Sequence, residues 1–317
     1  MRQAGRYMPE YRALRRTHSI LELCHAPALA AEVTLQPVTR LGVDAAILFA
    51  DILLPFEPLG LGLSFAAGEG PQIARPIRSA SDVHRLPAVD PVDALGYVLE
   101  GVRLAVAALP PGIPLIGFAG APFTLASYAI EGGASRTFAA TKRFMYSEPA
   151  AWHTLLELLA ELVGRYLAAQ AAAGARALQL FDSWVGCLAP EDYRSYVEPH
   201  SRRALELAGT AGVPVIHFGT GTAGFLESFA GAGGDVIGVD WRVPLDAAWA
   251  AIGPRAIQGN LDPLTLLAPR ATLEARVRDV LARAGGRPGH IFNLGHGVLP
   301  ETAVEALQAV VELVHGC

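Results

Sequence analysis

Ala175-Arg176-Ala177-Leu178-Gln179-Leu180-Phe181-Asp182 is a short, largely apolar run that ends on a carboxylate, and the stretch Pro190 to Ala211 behind it is rich in Ala and Leu at helical spacing. A run of this length bounded by polar residues reads as a strand buried on both faces. Such strands belong to parallel sheets, whose crossovers are helices.

The same unit recurs along the chain. Gly42 to Phe49 precedes Asp51, Val213 to Ile216 precedes His217, Val236 to Val239 precedes Asp240, Ala256 to Gly259 precedes Asn260, and Ile291 to Gly295 precedes His296. Pro114 to Phe118 is a seventh run, and Ala151 to Ala173 and Leu264 to Ala284 are further helical stretches. A doubly wound sheet usually gathers its chemistry at one switch point, whereas a (β/α) barrel draws polar residues from the ends of many strands onto one face. Polar residues end six of the seven runs, so the expected fold is α/β: a distorted (β/α)8 TIM-type barrel, with residues 1–317 as a single domain. No eighth strand is visible; it is expected upstream of Met1, or the barrel closes irregularly. Leu59 to Arg78, with many Gly and two Pro, reads as a long hairpin or flap inserted after the second unit.

Hydrophobic residues make up 52% of the 317 residues and charged ones 17%, a composition that builds a large core and carries no mark of disorder. The formal net charge of -5 argues against a nucleic-acid partner, and any anionic ligand must meet a local cluster of positive charge. Lys142 is the only lysine, so the other 24 basic residues are arginines, a bias read first as base composition. Cys24, Cys187 and Cys317 are odd in number and far apart, which points to a reducing compartment, with cytoplasm the expectation. The uncharged stretch Leu104 to Ile130 is broken by Pro110, Pro111, Pro114, Gly117, Gly120 and Pro122; it reads as a loop, a buried strand and a helix start rather than a membrane span. No secretory signal opens the chain.

Several residues are candidates for chemistry. Arg2-Gln3-Ala4-Gly5-Arg6-Tyr7 places two guanidinium groups around two small residues, so that bidentate forks and closely approaching backbone N–H groups meet one anion. The blander reading is a frayed basic terminus. Arg12 and Arg15 join the same anion site or form a solvated helix face. Asp51 belongs at the mouth of the barrel, where a carboxylate accepts N–H donors and stabilises a developing cation; the alternative is a helix N-cap, although Ile52-Leu53-Leu54-Pro55 is a poor helix start. Asp182 or Ser183 caps the following helix, or the Ser183 hydroxyl binds a ligand carboxylate. His217 ends a strand and reads as a packing residue, while Gly295 and Gly297 around His296 suggest close backbone approach at a functional position. Tyr128 ends the stretch Gly120 to Tyr128, which reads as a loop running into a helix, and offers a phenolic donor or packs. No phosphate-cradling Gly-x-x-x-x-Gly-Lys loop occurs, and His217-Phe218-Gly219 lacks the cysteine that a His-x-Cys zinc site needs, so no metal is expected.

Met1-Arg2-Gln3-Ala4-Gly5-Arg6-Tyr7-Met8-Pro9-Glu10-Tyr11-Arg12 resembles the amino-terminal signature of the uroporphyrinogen decarboxylase family. Phe49-Ala50-Asp51-Ile52, Gly120-Ala121-Pro122-Phe123-Thr124, Glu131-Gly132-Gly133, Phe181-Asp182-Ser183, Gln258-Gly259-Asn260-Leu261-Asp262-Pro263 and Asn293-Leu294-Gly295-His296-Gly297 extend the resemblance over the whole chain. It implies a cytoplasmic homodimer that converts the four acetates of uroporphyrinogen to methyls in porphyrin and heme biosynthesis, giving coproporphyrinogen and carbon dioxide. It implies a small-molecule tetrapyrrole as partner, with no cofactor and no membrane. Carried over by position, the substrate-binding set is Arg2, Gln3, Ala4, Gly5, Arg6, Asp51, Tyr128, Ser183 and His296, with Asp51, Arg2 and Arg6 catalytic. Family members carry a lead-in before the signature, which is expected to be absent here. Two other readings compete: a zinc-dependent methyltransferase on a related barrel, and a tetrapyrrole carrier without catalysis.

Overall fold

Each apolar run becomes one strand. In the computed structural model, which describes residues 3–65 and 70–316, the strands are β1 (Ala46–Ile47), β4 (Leu115–Gly120), β5 (Ala177–Asp182), β6 (Val215–Gly219), β7 (Val236–Gly238), β8 (Ala256–Leu261) and β9 (His290–Leu294). They form one sheet in the order β1-β4-β5-β6-β7-β8-β9, and every neighbouring pair is parallel. The expected hairpin also forms: β2 (Leu63–Phe65) and β3 (Pro71–Ile73) pair antiparallel, with Leu63 opposite Ile73. Among the described residues no pairing joins β9 to β1, and no eighth strand enters the sheet. The lead-in question turns on residues before Met1, outside the chain described.

The principal helices are α1 (Pro9–Arg15), α2 (Ile20–His25), α3 (Pro27–Leu41), α4 (Gly96–Ala108), α5 (Pro122–Glu131), α6 (Pro149–Ala172), α7 (Pro190–Tyr196), α8 (Glu198–Gly209), α9 (Leu226–Gly231), α10 (Leu245–Ile252), α11 (Arg270–Ala284) and α12 (Val304–His315). Proline opens α1, α3, α5, α6 and α7 at the first helical position, where its missing N–H is an orphan anyway. The uncharged stretch is resolved accordingly: Leu104 to Ala108 finish α4, Pro110 and Pro111 follow the break, and β4 and α5 take the rest. None of the described helices is long and apolar enough to cross a membrane.

Strand alternation decides which side chains face the lumen. A Cβ on Gly117 would lie 2.6 Å from the Gln170 carboxamide of α6, and His217 stacks on Phe229 of α9 at 3.8 Å, so these positions face the helices. Their neighbours Phe118 and Phe218 therefore face inward, as does Phe181, and the three rings contact edge-on at 5.6 and 5.7 Å. Two buried side chains fix this geometry from behind. Gln170 accepts from the Phe118 N–H and donates to its carbonyl, both at 2.9 Å. Thr34 of α3 accepts from the Phe49 N–H at 2.8 Å and so anchors the segment leading to Asp51.

Candidate active site

The amino-terminal segment lies along the outer edge of β1. The Gln3 carboxamide donates to the Ala45 carbonyl at 2.7 Å and accepts from the Ile47 N–H at 2.8 Å, satisfying edge groups that a further strand would otherwise meet. Ala4 and Gly5 are buried, the Met8 N–H bonds the Gly5 carbonyl at 2.9 Å, and the buried Tyr7 hydroxyl donates to the Gln3 carbonyl. The Arg12 guanidinium reaches back to the Arg6 and Tyr7 carbonyls at 3.2 and 3.4 Å. The segment is thus an ordered turn rather than a frayed end. Arg2, to which a catalytic and binding role was assigned, lies outside the described residues.

Arg6, Arg12, Arg15 and Arg16 converge with Pro300 of the loop after β9 around an open basin of about 450 Å³. Among the described residues none of these four forms an ion pair with a carboxylate, and the Arg12 and Arg15 heads bond only backbone carbonyls. This is the local positive field that an anionic ligand of a net-negative chain requires.

Asp51 stands four residues beyond β1 and is half-buried. Its Oδ1 accepts from the Leu53 N–H at 2.9 Å, and Leu54–Phe56 continues as a 3-10 turn, so the side chain shapes a turn even though the following sequence is a poor α-helix start. Cys24 of α2 packs beneath; burial, followed by the charges of Asp51 and Glu57, raises its thiol well above the usual range.

Tyr128 and Ser183 come together at the ends of β4 and β5. Tyr128 sits inside α5, the helix into which that stretch runs, and its ring stacks on Trp184 at 3.7 Å with 28° between planes, while Phe138 meets the Trp184 ring at 5.0 Å. Ser183 is half-exposed beside this stack, and its carbonyl accepts from the Thr220 hydroxyl. Neither Asp182 nor Ser183 caps a helix: the turn that follows is Val185–Cys187 with Trp184 at its N-cap and no side-chain cap bond. Asp182 instead points to the helix layer, fully buried, and accepts from the Thr124 hydroxyl at 2.8 Å; burial pushes its carboxyl up to about 7.

His296 is exposed on the loop after β9. The glycine before it answers to protein, since a Cβ on Gly295 would lie 2.6 Å from the Trp241 backbone nitrogen. That loop is itself braced, with Asp240 accepting from the Gly221 N–H at 2.8 Å and Asn260 donating to the Asp240 and Val243 carbonyls at 2.9 and 2.7 Å. His217 lies mid-strand rather than at a strand end, and burial lowers it to about 3. At Gly219 a Cβ would sit 2.7 Å from both Phe229 and Thr222, so a cysteine ligand has no room there. Among the described residues no three His, Cys, Asp or Glu side chains converge as a metal set.

The aromatic lumen face of Phe118, Phe181 and Phe218, and the Trp184 partner of Tyr128, were not singled out from sequence. Inside an apolar run an aromatic residue gives no local signal; only strand register reveals its direction.

The whole chain, residues 1–317, matches the family model described as uroporphyrinogen decarboxylase (URO-D). It is 59% identical over 316 residues to the uroporphyrinogen decarboxylase of Sorangium cellulosum, covering 99% of this chain and 90% of that one. It is 56% identical over 316 residues to that of Carboxydothermus hydrogenoformans, again covering 99% and 90%. Among solved structures a methyltransferase from Methanosarcina mazei superposes with a TM-score of 0.80 over 93% of this chain and 87% of that one; at 19% identity the likeness is one of fold.

Proposed function

The chain belongs to the uroporphyrinogen decarboxylase family, and from that premise we propose that it decarboxylates the four acetate side chains of uroporphyrinogen to give coproporphyrinogen in porphyrin biosynthesis. The observation that carries the reading is the 59% identity over 99% of the chain.

The site geometry suits the reaction. Each acetate loses its carboxylate as carbon dioxide, and the electron pair of the broken C–C bond needs a sink, which protonation of the adjacent pyrrole carbon supplies as a cationic ring. The exocyclic methylene so formed takes up a second proton to complete the methyl while the ring carbon gives back the first, so each decarboxylation consumes one proton net and releases one carbon dioxide. In this reading Asp51 accepts the pyrrole N–H groups and stabilises the transient cation in a partly desolvated site. Arg6, with Arg2, grips ligand carboxylates; the buried Ala4-Gly5 backbone holds that grip in place, and the Gln3 carboxamide, engaged on β1, contributes by anchoring the segment. Tyr128 and Ser183 supply hydroxyl donors, His296 supplies an imidazole N–H from the loop after β9, and Phe118, Phe181 and Phe218 give the macrocycle an apolar face. The substrate carries its own electron sink, so no cofactor is invoked. We further assign the chain to the cytoplasm, as a homodimer and a single domain.

Anaerobic incubation with uroporphyrinogen, with and without chelator, tests this. The expected result is stepwise conversion from eight to four carboxylates, insensitive to chelator. Porphyrinogen binding without product would favour a carrier, and chelator-sensitive methyl transfer would favour the zinc reading.

A further inference from the structure

A buried acid with one satisfied oxygen is an expensive way to fill a core. Asp182 Oδ1 accepts from Thr124, while Asp182 Oδ2 has no hydrogen-bond partner among the described residues. A buried orphan of this kind is destabilising, and an apolar residue of similar size would avoid it. The same Thr124 hydroxyl that donates to Asp182 accepts from the Trp184 N–H at 3.3 Å. One side chain thereby ties the turn after β5 to the first turn of α5, one helical turn before Tyr128.

We propose that Asp182 is a positioning residue that acts through Thr124 to set the Tyr128–Trp184 wall and the adjoining Ser183 against which ligand carboxylates come to rest. The inference rests on the tetrapyrrole reading above. Without the acid, the Thr124 hydroxyl loses the acceptor that orients its lone pair toward Trp184, and the stack is free to slide.

Charge gives the arrangement a signature. Burial brings the ionisation of Asp182 to about 7, so a negative charge develops behind Ser183 as pH rises through neutrality, opposing ligand carboxylates there. The ionisable groups that look onto Asp182 are Tyr193 from α7 and Cys187 from the turn Val185–Cys187, and burial keeps both neutral over that interval. Glu198 and Arg202 of α8 act on Tyr193 and pair with each other at 2.6 Å.

The test is anaerobic steady-state kinetics with uroporphyrinogen between pH 6 and 8.5, on wild type, Asp182→Asn, Thr124→Val and Thr124→Ser. Wild-type KM is expected to rise above pH 7 and that of Asp182→Asn to stay flat. Thr124→Val is expected to raise KM about tenfold at every pH, with kcat the smaller change, and Thr124→Ser to restore it to within about threefold, since a tenfold loss corresponds to one modest hydrogen bond. An Asp182→Asn profile that follows the wild type overturns the proposal, and so does equal impairment of Thr124→Val and Thr124→Ser. If Asp182→Asn does not fold, the Thr124 pair alone decides. Absence of product from wild type would instead refute the tetrapyrrole reading, and this inference with it.

Discussion

Replacing Asp51 with Asn removes a charge while leaving the local structure a reason to persist. The Asn Oδ1 can still accept from the Leu53 N–H, now bonded at 2.9 Å, and Leu53 itself is buried, so the turn into Leu54–Phe56 keeps its anchor. The expected change in folding stability is within about 0.5 kcal/mol, as for substitutions that break no packing or cap. What disappears is the negative charge proposed to face the pyrrole nitrogens. A preorganised group that stabilises developing charge contributes about 2.7–4 kcal/mol, so kcat should fall by about 10²–10³. Anaerobic turnover of uroporphyrinogen, with the urea midpoint measured on the same preparation, separates the two effects. A kcat within about threefold of wild type, with unchanged stability, would refute the role given to Asp51.

Other consequences are open to measurement. Gln170→Leu removes both partners of the Phe118 peptide and should cost about 2–6 kcal/mol in urea unfolding, at about 1–3 kcal/mol for each buried group left unpaired; an unchanged midpoint would show that β4 holds without it. Gln3→Leu frees the edge groups Ala45 and Ile47, and should lower the unfolding midpoint and raise KM together because Arg6 hangs on the same segment. Burial holds His217 at about 3, below its unfolded value, so between about 3 and 6.5 the unfolded chain binds a proton that the fold refuses. Stability should therefore fall as pH drops through that interval, and His217→Phe should flatten the fall when urea midpoints at pH 7 and 4.5 are compared. Arg6→Gln should raise KM about tenfold or more, given the worth of a charge-assisted bond, and wild-type KM should climb with salt; a salt-independent KM would remove the basin from ligand binding.

The sheet was legible because parallel strands buried on both faces must be written as apolar runs, and each of the seven runs became a strand. Direction was less legible than position. Asp182 and His217 both follow or end such runs, yet both point to the helix layer, because alternation along a strand makes one residue's difference decide the face. Gln3 sits in a motif that looks made for ligand, but its carboxamide partners lie 42 and 44 residues away on β1, a contact with no local trace. Gly295 was correctly read as a point of close approach, and the approaching group proved to be the Trp241 backbone.

Net charge argued against a nucleic-acid partner and left an anionic ligand to a local cluster of positive charge, and the distribution supplies that cluster. Many arginines are neutralised within their own helices: Arg103 by Glu100, Arg194 by Glu191, Arg202 by Glu198, Arg270 by Glu274 and Arg283 by Asp279. At physiological salt a charge is felt over about 8 Å, so these pairs are nearly silent at the site and the excess of carboxylates elsewhere is screened. Among the described residues Arg6, Arg12, Arg15 and Arg16 lie within one basin without carboxylate partners, so their fields add where those of the paired arginines cancel. The i,i+3 and i,i+4 spacing of the paired arginines is visible in sequence, whereas which of the remaining arginines share a basin is a matter of the fold. Gln3, through its two bonds at β1, ties the segment that carries Arg6 to the strand from which the chain runs on to Asp51.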